Sequence, residues 1–271
     1  MAPKNARNFK TKAKRVSRSS FEPIVEFDRT RFHTLQNEQK IETLIKYRSI
    51  WRERQINLDE LDRSVHRNLG SRKWFSLCSD LEPPLATLIR DFYLNLSTHF
   101  DDSGGHYLTT SIRGEEFWIT KQIVSEALCV LLVRKPTYPY TDSPPMDDVM
   151  TFLCGRSVTW GTEPRLNSRK LTEINYILFK IACHNIFPIS RVHTIPIDRC
   201  VFLYALIIDG SICFPSLFIQ TIVEVHRSKS RNHSLYFSIF IHRILNFLEL
   251  ENFHSLELIH IIAPIRVSFL R

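Results

Sequence analysis

The stretch Ile197–Arg227, IDRCVFLYALIIDGSICFPSLFIQTIVEVHR, decides the fold. Ile197 to Ile208 is apolar all round, which is the pattern of a helix buried on every side. Asp209-Gly210 ends that run. Pro215 then opens a second helix, to about Arg227, because proline fits the first helical turn. Upstream, Leu171, Ile174, Ile177, Leu178 and Ile181 share one face of a helix over Ser168–Asn185. Downstream, Phe237, Phe240, Ile241, Ile244, Leu245 and Leu248 step by 3, 1, 3, 1, 3, the α-helical period.

The same stepping recurs earlier. Pro83-Pro84 opens a helix whose stripe is Leu85, Leu88, Ile89, Phe92, Tyr93 and Leu96, and Asp101–Gly105 reads as its stop. Asn37–Arg48 and Ser71–Ser79 carry shorter helical patterns, and Met146–Cys154 is another short helix. Between them, Tyr107–Ile112 and Phe117–Ile119 favour strand, and Arg113-Gly114 suits a tight hairpin turn. Thr120 caps the helix that follows, to about Val130. Segment 134–145, with Pro136, Pro139, Pro144 and Pro145 around Tyr138 and Tyr140, reads as a loop or extended arm. Glycine is scarce, 7 in 271 residues, which argues against many β-turns and against phosphate-cradling loops. The expected fold class is therefore mainly α: a helical bundle over 31–271 with one small β-hairpin, preceded by a tail and linker over 1–30.

Charge divides the chain sharply. The net charge is +8, and Lys4, Arg7, Lys10, Lys12, Lys14, Arg15 and Arg18 supply +7 of it with no acid in the first twenty residues. The remaining 251 residues carry +1. A single-sign run of this kind stays solvated and disordered, and it can neutralise phosphates without reading sequence. Within it, KTKAKR (Lys10–Arg15) is similar to a short basic nuclear-import signal. A second basic stretch, His226, Arg227, Lys229, Arg231 and His233, falls in a loop before Tyr236 and Phe237; aromatics beside cations suit single-stranded nucleic acid, although Phe237 already belongs to a helical stripe.

Catalytic motifs are weaker. Asp102-Ser103-Gly104 matches the triplet of retropepsin-like aspartic proteases, but no apolar strand leads into it, and a helix-ending turn accounts for it. Asp91, Asp147, Asp148, Asp198, Asp209 and Glu224 are carboxylates that a two-metal transposase core could use. None follows a convincing strand, and Asp147-Asp148 suits the start of a helix. The six cysteines are 13 to 51 residues apart, too far for a zinc-site pair, and read as reduced thiols of an intracellular protein. Cys183-His184 is read as core thiol and surface imidazole. No P-loop or dinucleotide fingerprint occurs. The longest apolar run, Cys200–Ile208, is half a membrane span. No catalytic residue, metal or cofactor is assigned.

Several blocks resemble the plant transposon protein domain, a retroelement-derived, transposase-like family with no assigned active site. They are RKWFSLCSDLEPPLATLIRDFYLNL (72–96), SIRGEEFWITKQIVSEAL (111–128), MDDVMTFLCG (146–155), the run from Leu166 to Ser228, and HIIAPI (260–265). The likeness runs from about Phe32 to the C-terminus, and relatives continue further, so IRVSFLR (265–271) reads as a truncated end; Arg266 stands where similar sequences are more glycine-like. The resemblance implies a non-enzymatic, gag-like or accessory domain in the nucleus, touching nucleic acid nonspecifically through its tail, with other element-encoded proteins as further partners. The alternatives are a metal-dependent transposase or integrase, and a protein-interaction adaptor that docks through segment 134–145.

Overall fold

The computed structural model describes residues 28, 31–102, 104–158, 165–189, 192–250, 258–260 and 262–265. In chain order the elements are α1 (Leu35–Thr43), β1 (Arg54–Ile56), α2 (Arg63–Ser71), α3 (Ala86–Leu94), β2 (Ser97–Phe100), β3 (His106–Ile112), β4 (Glu115–Ile119) and α4 (Lys121–Ala127). There follow α5 (Met146–Cys154), β5 (Arg165–Asn167), α6 (Glu173–Ile181), β6 (Thr194–Pro196), α7 (Ile197–Ile207), α8 (Phe214–Arg227), α9 (Ser238–Phe247) and β7 (Ile262–Ile265).

The stripes of α3 and α9 hold, whereas Ile174 of the α6 stripe is exposed and the run Ile197–Ile208 is not buried on every side, since Asp198 and Ile208 face solvent. Leu88, Ile89, Phe92 and Tyr93 are buried on α3, and Phe240, Ile241, Ile244 and Leu245 on α9. Each of α4 and α6 begins where a threonine accepts a backbone N–H: Thr120 from Ile123 and Thr172 from Asn175. Phe214 at the start of α8 is the hub of the core. Its ring meets Trp74, Phe218, Phe237 and Phe240 at centroid distances of 5.9–6.2 Å, mostly edge-on.

The fold class is nevertheless not a helical bundle with one hairpin. Among the described residues nine helices are joined by three sheets of two, three and two strands, a mixed α/β architecture. β2, β3 and β4 form an antiparallel meander in which Ser97 faces Thr109 and Thr109 faces Trp118. β5 pairs with β6 antiparallel, and β1 with β7 parallel across some 208 residues of chain (Arg54 with Ile262). Two physical facts defeat the expectation. Five of these strands are only three or four residues long, too short for an alternating pattern to show. And left-handed turns are made without glycine: Lys73, Asp80, Arg113, Cys129, Asp209, Phe237 and Glu249 all have φ between +52° and +60°. A low glycine count therefore does not exclude sharp turns. Asp101–Gly105 is likewise not a helix stop; α3 ends at Leu94, and the turn links β2 to β3. The hairpin at Arg113-Gly114 forms as expected, both residues having positive φ (54° and 84°).

Four buried polar side chains stitch distant segments together. Asn95, at the end of α3, donates to Arg31 O (2.9 Å) and Ser111 O (2.7 Å) and accepts from His33 N (3.2 Å) and Asn37 Nδ2 (3.0 Å). Arg48 donates to Val225 O, Ser228 O and Ser230 O, gathering the chain beyond α8. Asn185 lies in a π-helical turn, Ala182–Ile186, that extends α6. It donates to Arg54 O and Leu77 O, each 2.8 Å, and accepts from Arg54 N at 3.0 Å. Glu53 closes the set. Its carboxyl accepts the Ile239 N–H at 3.1 Å and so caps α9 from a remote part of the chain, where Phe237 offers no side-chain cap.

Asn185 is fully buried with all three bonds inside the protein, so Asn185→Ala leaves two carbonyls and one N–H without partners. We expect a loss of about 2–4 kcal/mol in urea unfolding, against under ~0.5 kcal/mol for exposed Arg227→Ala.

Candidate nucleic-acid interface

The seven leader cations, Lys4 to Arg18, lie outside the described residues. What the structure fixes is where that leader joins the body. Asn95 bonds the carbonyl of Arg31 with one amide hydrogen and that of Ser111, on β3, with the other. Arg31 is held again by Asp91 on α3, through Nε at 3.0 Å and Nη2 at 2.9 Å. Arg31 thus meets the body beside Ser111 on β3, the central strand of the three-stranded sheet.

One face of that sheet packs inward through Leu108, Thr110, Ile112, Phe117 and Ile119. The opposite face carries a stack of rings. His99 on β2 lies 5.0 Å from Tyr107 on β3, and Tyr107 lies 5.6 Å from Trp118 on β4, with interplanar angles of 18° and 10°. A bond of 2.9 Å between His99 Nε2 and Thr109 Oγ1 fixes the imidazole. β4 is an edge strand, so Trp118, 52% exposed, ends the stack towards solvent. Glu116, on the same strand and the same face, is exposed.

The second basic stretch is more ordered than a solvated loop. Arg227 and Lys229 are exposed, but Arg231 donates to Thr43 O at 2.9 Å, and its guanidinium lies 4.7 Å from the Tyr47 ring. Lys46 approaches the same ring at 5.3 Å. Tyr236 and Phe237 are buried and offer no face to a strand; Tyr47, 54% exposed, is the aromatic that accompanies these cations. His226 is half-buried, and burial, then nearby Lys40, lowers its pKa to about 4.

The acidic candidates do not converge. Asp91 pairs with Arg31, Asp198 with Arg199 (2.5 Å) and Asp209 with Arg72 (3.1 Å). Asp147 and Asp148 sit in the first turn of α5. Among the described residues no three His, Cys, Asp or Glu side chains come together as a metal site. Cys183 and His184 are no dyad: the thiol donates to Lys180 O, burial raising its pKa to about 12, while the imidazole stacks on Trp51. Segment 134–145 is folded back rather than free, with Thr137 N donating to Ser211 O and Tyr138 bridging to Ile212. Beside it lies a cavity of about 560 Å³ walled by Tyr138, Tyr140, Ile197 and Val201 together with the charged Arg165 and Asp198. No helix among the described residues is long and apolar enough to cross a membrane.

The model of the family described as "Putative plant retrotransposon-related domain" matches residues 70–248, from the end of α2 through α9. The chain belongs to that family. No curated protein and no solved structure matches it. The retroelement descent implied by the sequence blocks is thereby confirmed. The matched region of this retrotransposon-related domain contains Asn95, the ring stack and the Arg227–Arg231 loop, whereas the leader and Arg31, Arg48 and Glu53 precede it.

Glu53, outside the matched region, is a buried carboxyl with a strongly raised pKa. Burial pushes its pKa from 4.5 up to about 7, with the Ile239 N–H pulling the other way. Ser238 Oγ lies 2.7 Å from Trp51 O and 3.1 Å from Glu53 Oε2. Its one proton cannot serve both, which suits a neutral Glu53. The side chain is fully buried and its Oε2 holds the start of α9. A carboxyl whose pKa is raised in the folded state favours folding below its unfolded pKa, and that contribution is lost as pH rises from about 4.5 through 7. His184 and His226, lowered to about 4, oppose it: their contribution grows from about pH 4 to 6.5. Comparison with Glu53→Gln isolates the acid. The stability of the Gln variant relative to the native chain should rise by on the order of 3 kcal/mol between pH 4.5 and 8 in urea unfolding.

Proposed function

We propose that this retroelement-derived domain is a non-enzymatic accessory protein that holds nucleic acid through its basic leader. The partition of charge, +7 in residues 1–20 against +1 in the other 251, carries the reading. Lysines and arginines in such a run bind phosphates and release counterions, which supplies affinity without sequence readout. The family match supports the setting, since a protein of retroelement descent operates among nucleic acids. KTKAKR, Lys10–Arg15, serves the same leader as a nuclear-import signal. The loop cations Arg227 and Lys229, with Arg231 and Lys46 against Tyr47, form a secondary contact.

The test keeps the whole chain and replaces Lys4, Arg7, Lys10, Lys12, Lys14, Arg15 and Arg18 by Gln. Binding of a labelled 20-nucleotide strand and of a duplex is followed by anisotropy as salt is varied. For every phosphate that the glutamine leader no longer neutralises, the slope of log K against log salt should fall by about 0.7 for the strand and about 0.9 for the duplex. Unchanged affinity and slope would refute the leader as the binding element.

A further inference from the structure

We propose that the exposed end of the His99–Tyr107–Trp118 stack takes an unpaired nucleobase, so that the domain grips single strands in preference to duplex; this rests on the leader reading above. Centroid spacings of 5.0 and 5.6 Å with near-parallel planes are those of offset stacking, and the pile runs across the strands. Its more exposed end is Trp118. Tyr107 lies between its two neighbours, His99 is fixed to Thr109, and Trp118 at the sheet edge is 52% exposed. A base laid on the free indole face continues the stack. The rings are already held by one another, so little side-chain freedom is lost on binding.

Charge identifies the occupant. Glu116 shares the face with Trp118 and repels phosphate, so the sheet by itself does not hold a polyanion. The described chain that follows the leader's cations begins close by. Ser111, whose carbonyl Asn95 binds together with that of Arg31, faces Glu116 across the ladder, and Trp118 is two residues further along β4. Adding the Asn95 bridge, the step across the ladder and two residues along β4, Arg31 lies within roughly 15 Å of Trp118. Thirteen residues separate Arg18 from Arg31, a reach of up to about 45 Å. The leader holds the backbone of a strand while the stack holds a base. Bases in a duplex are stacked on each other and present no free face, so only an unpaired strand uses both parts.

Full-length protein is titrated with a 20-nucleotide oligothymidylate and with a duplex of equal length, for the native chain, Trp118→Ala, Trp118→Phe and the glutamine leader. Trp118→Ala should weaken strand binding between about five- and 150-fold, leaving duplex binding and the salt slope unchanged, and Trp118→Phe should restore most of the loss. Equal strand affinity in Trp118→Ala, with both ligands weakened by the glutamine leader, overturns the stacking inference and leaves the leader reading intact. Loss of self-association in Trp118→Ala with strand binding untouched assigns the face to a second copy of the chain, which also overturns it. No binding of either ligand by the native chain overturns both readings.

Discussion

One buried amide organises the relation between the two halves of this molecule. Asn95 uses both hydrogens and accepts two bonds, and its four partners come from residues 31, 33, 37 and 111. Without it, the end of α3, the start of the body and the part of β3 beyond its pairing with β2 would each present polar backbone groups to a dry site. With it, the point where a strongly cationic leader begins is fixed beside the one sheet that shows a free face of stacked rings. On the reading proposed above, affinity from charge and affinity from stacking act on the same strand, because a single side chain holds Arg31 and β3 together.

The N-terminal part of the body is built in throughout. Ser49 and Trp51 exchange backbone bonds of 2.8 Å with Leu235, Arg48 gathers one carbonyl in the last turn of α8 and two beyond it, and Glu53 caps α9. All of these residues precede the region that the family shares, yet they complete its last two helices. Residues 31–69 are therefore part of the working fold.

Helices were legible because their stripes repeat locally: Leu88, Ile89, Phe92 and Tyr93 announce α3, and a proline announces α8. The sheets were not. β1 with β7 and β5 with β6 are short and pair across long stretches of chain, and no local period encodes such a partnership. Glycine misled because Arg113, Asp209 and others adopt left-handed backbone with side chains in place. Of the site, the leader was plain, since a run of like charges needs no fold to be recognised. The ring stack was hidden: His99, Tyr107 and Trp118 become neighbours only once the register of three strands is set. Tyr47 meets Arg231 across 184 residues for the same reason. Buried polar groups such as Asn95 and Glu53 look like surface residues until their partners arrive.

The central claim is spatial: leader and ring stack form one continuous surface for an unpaired strand. Photocrosslinking of a thymidine-rich strand to the full chain, with the attached peptides mapped by mass, tests this most directly. The account predicts adducts on the peptides carrying Tyr107 or Trp118 together with adducts in residues 1–20 of the same molecules. Adducts confined to the Tyr47 and Arg227–Arg231 region would contradict it.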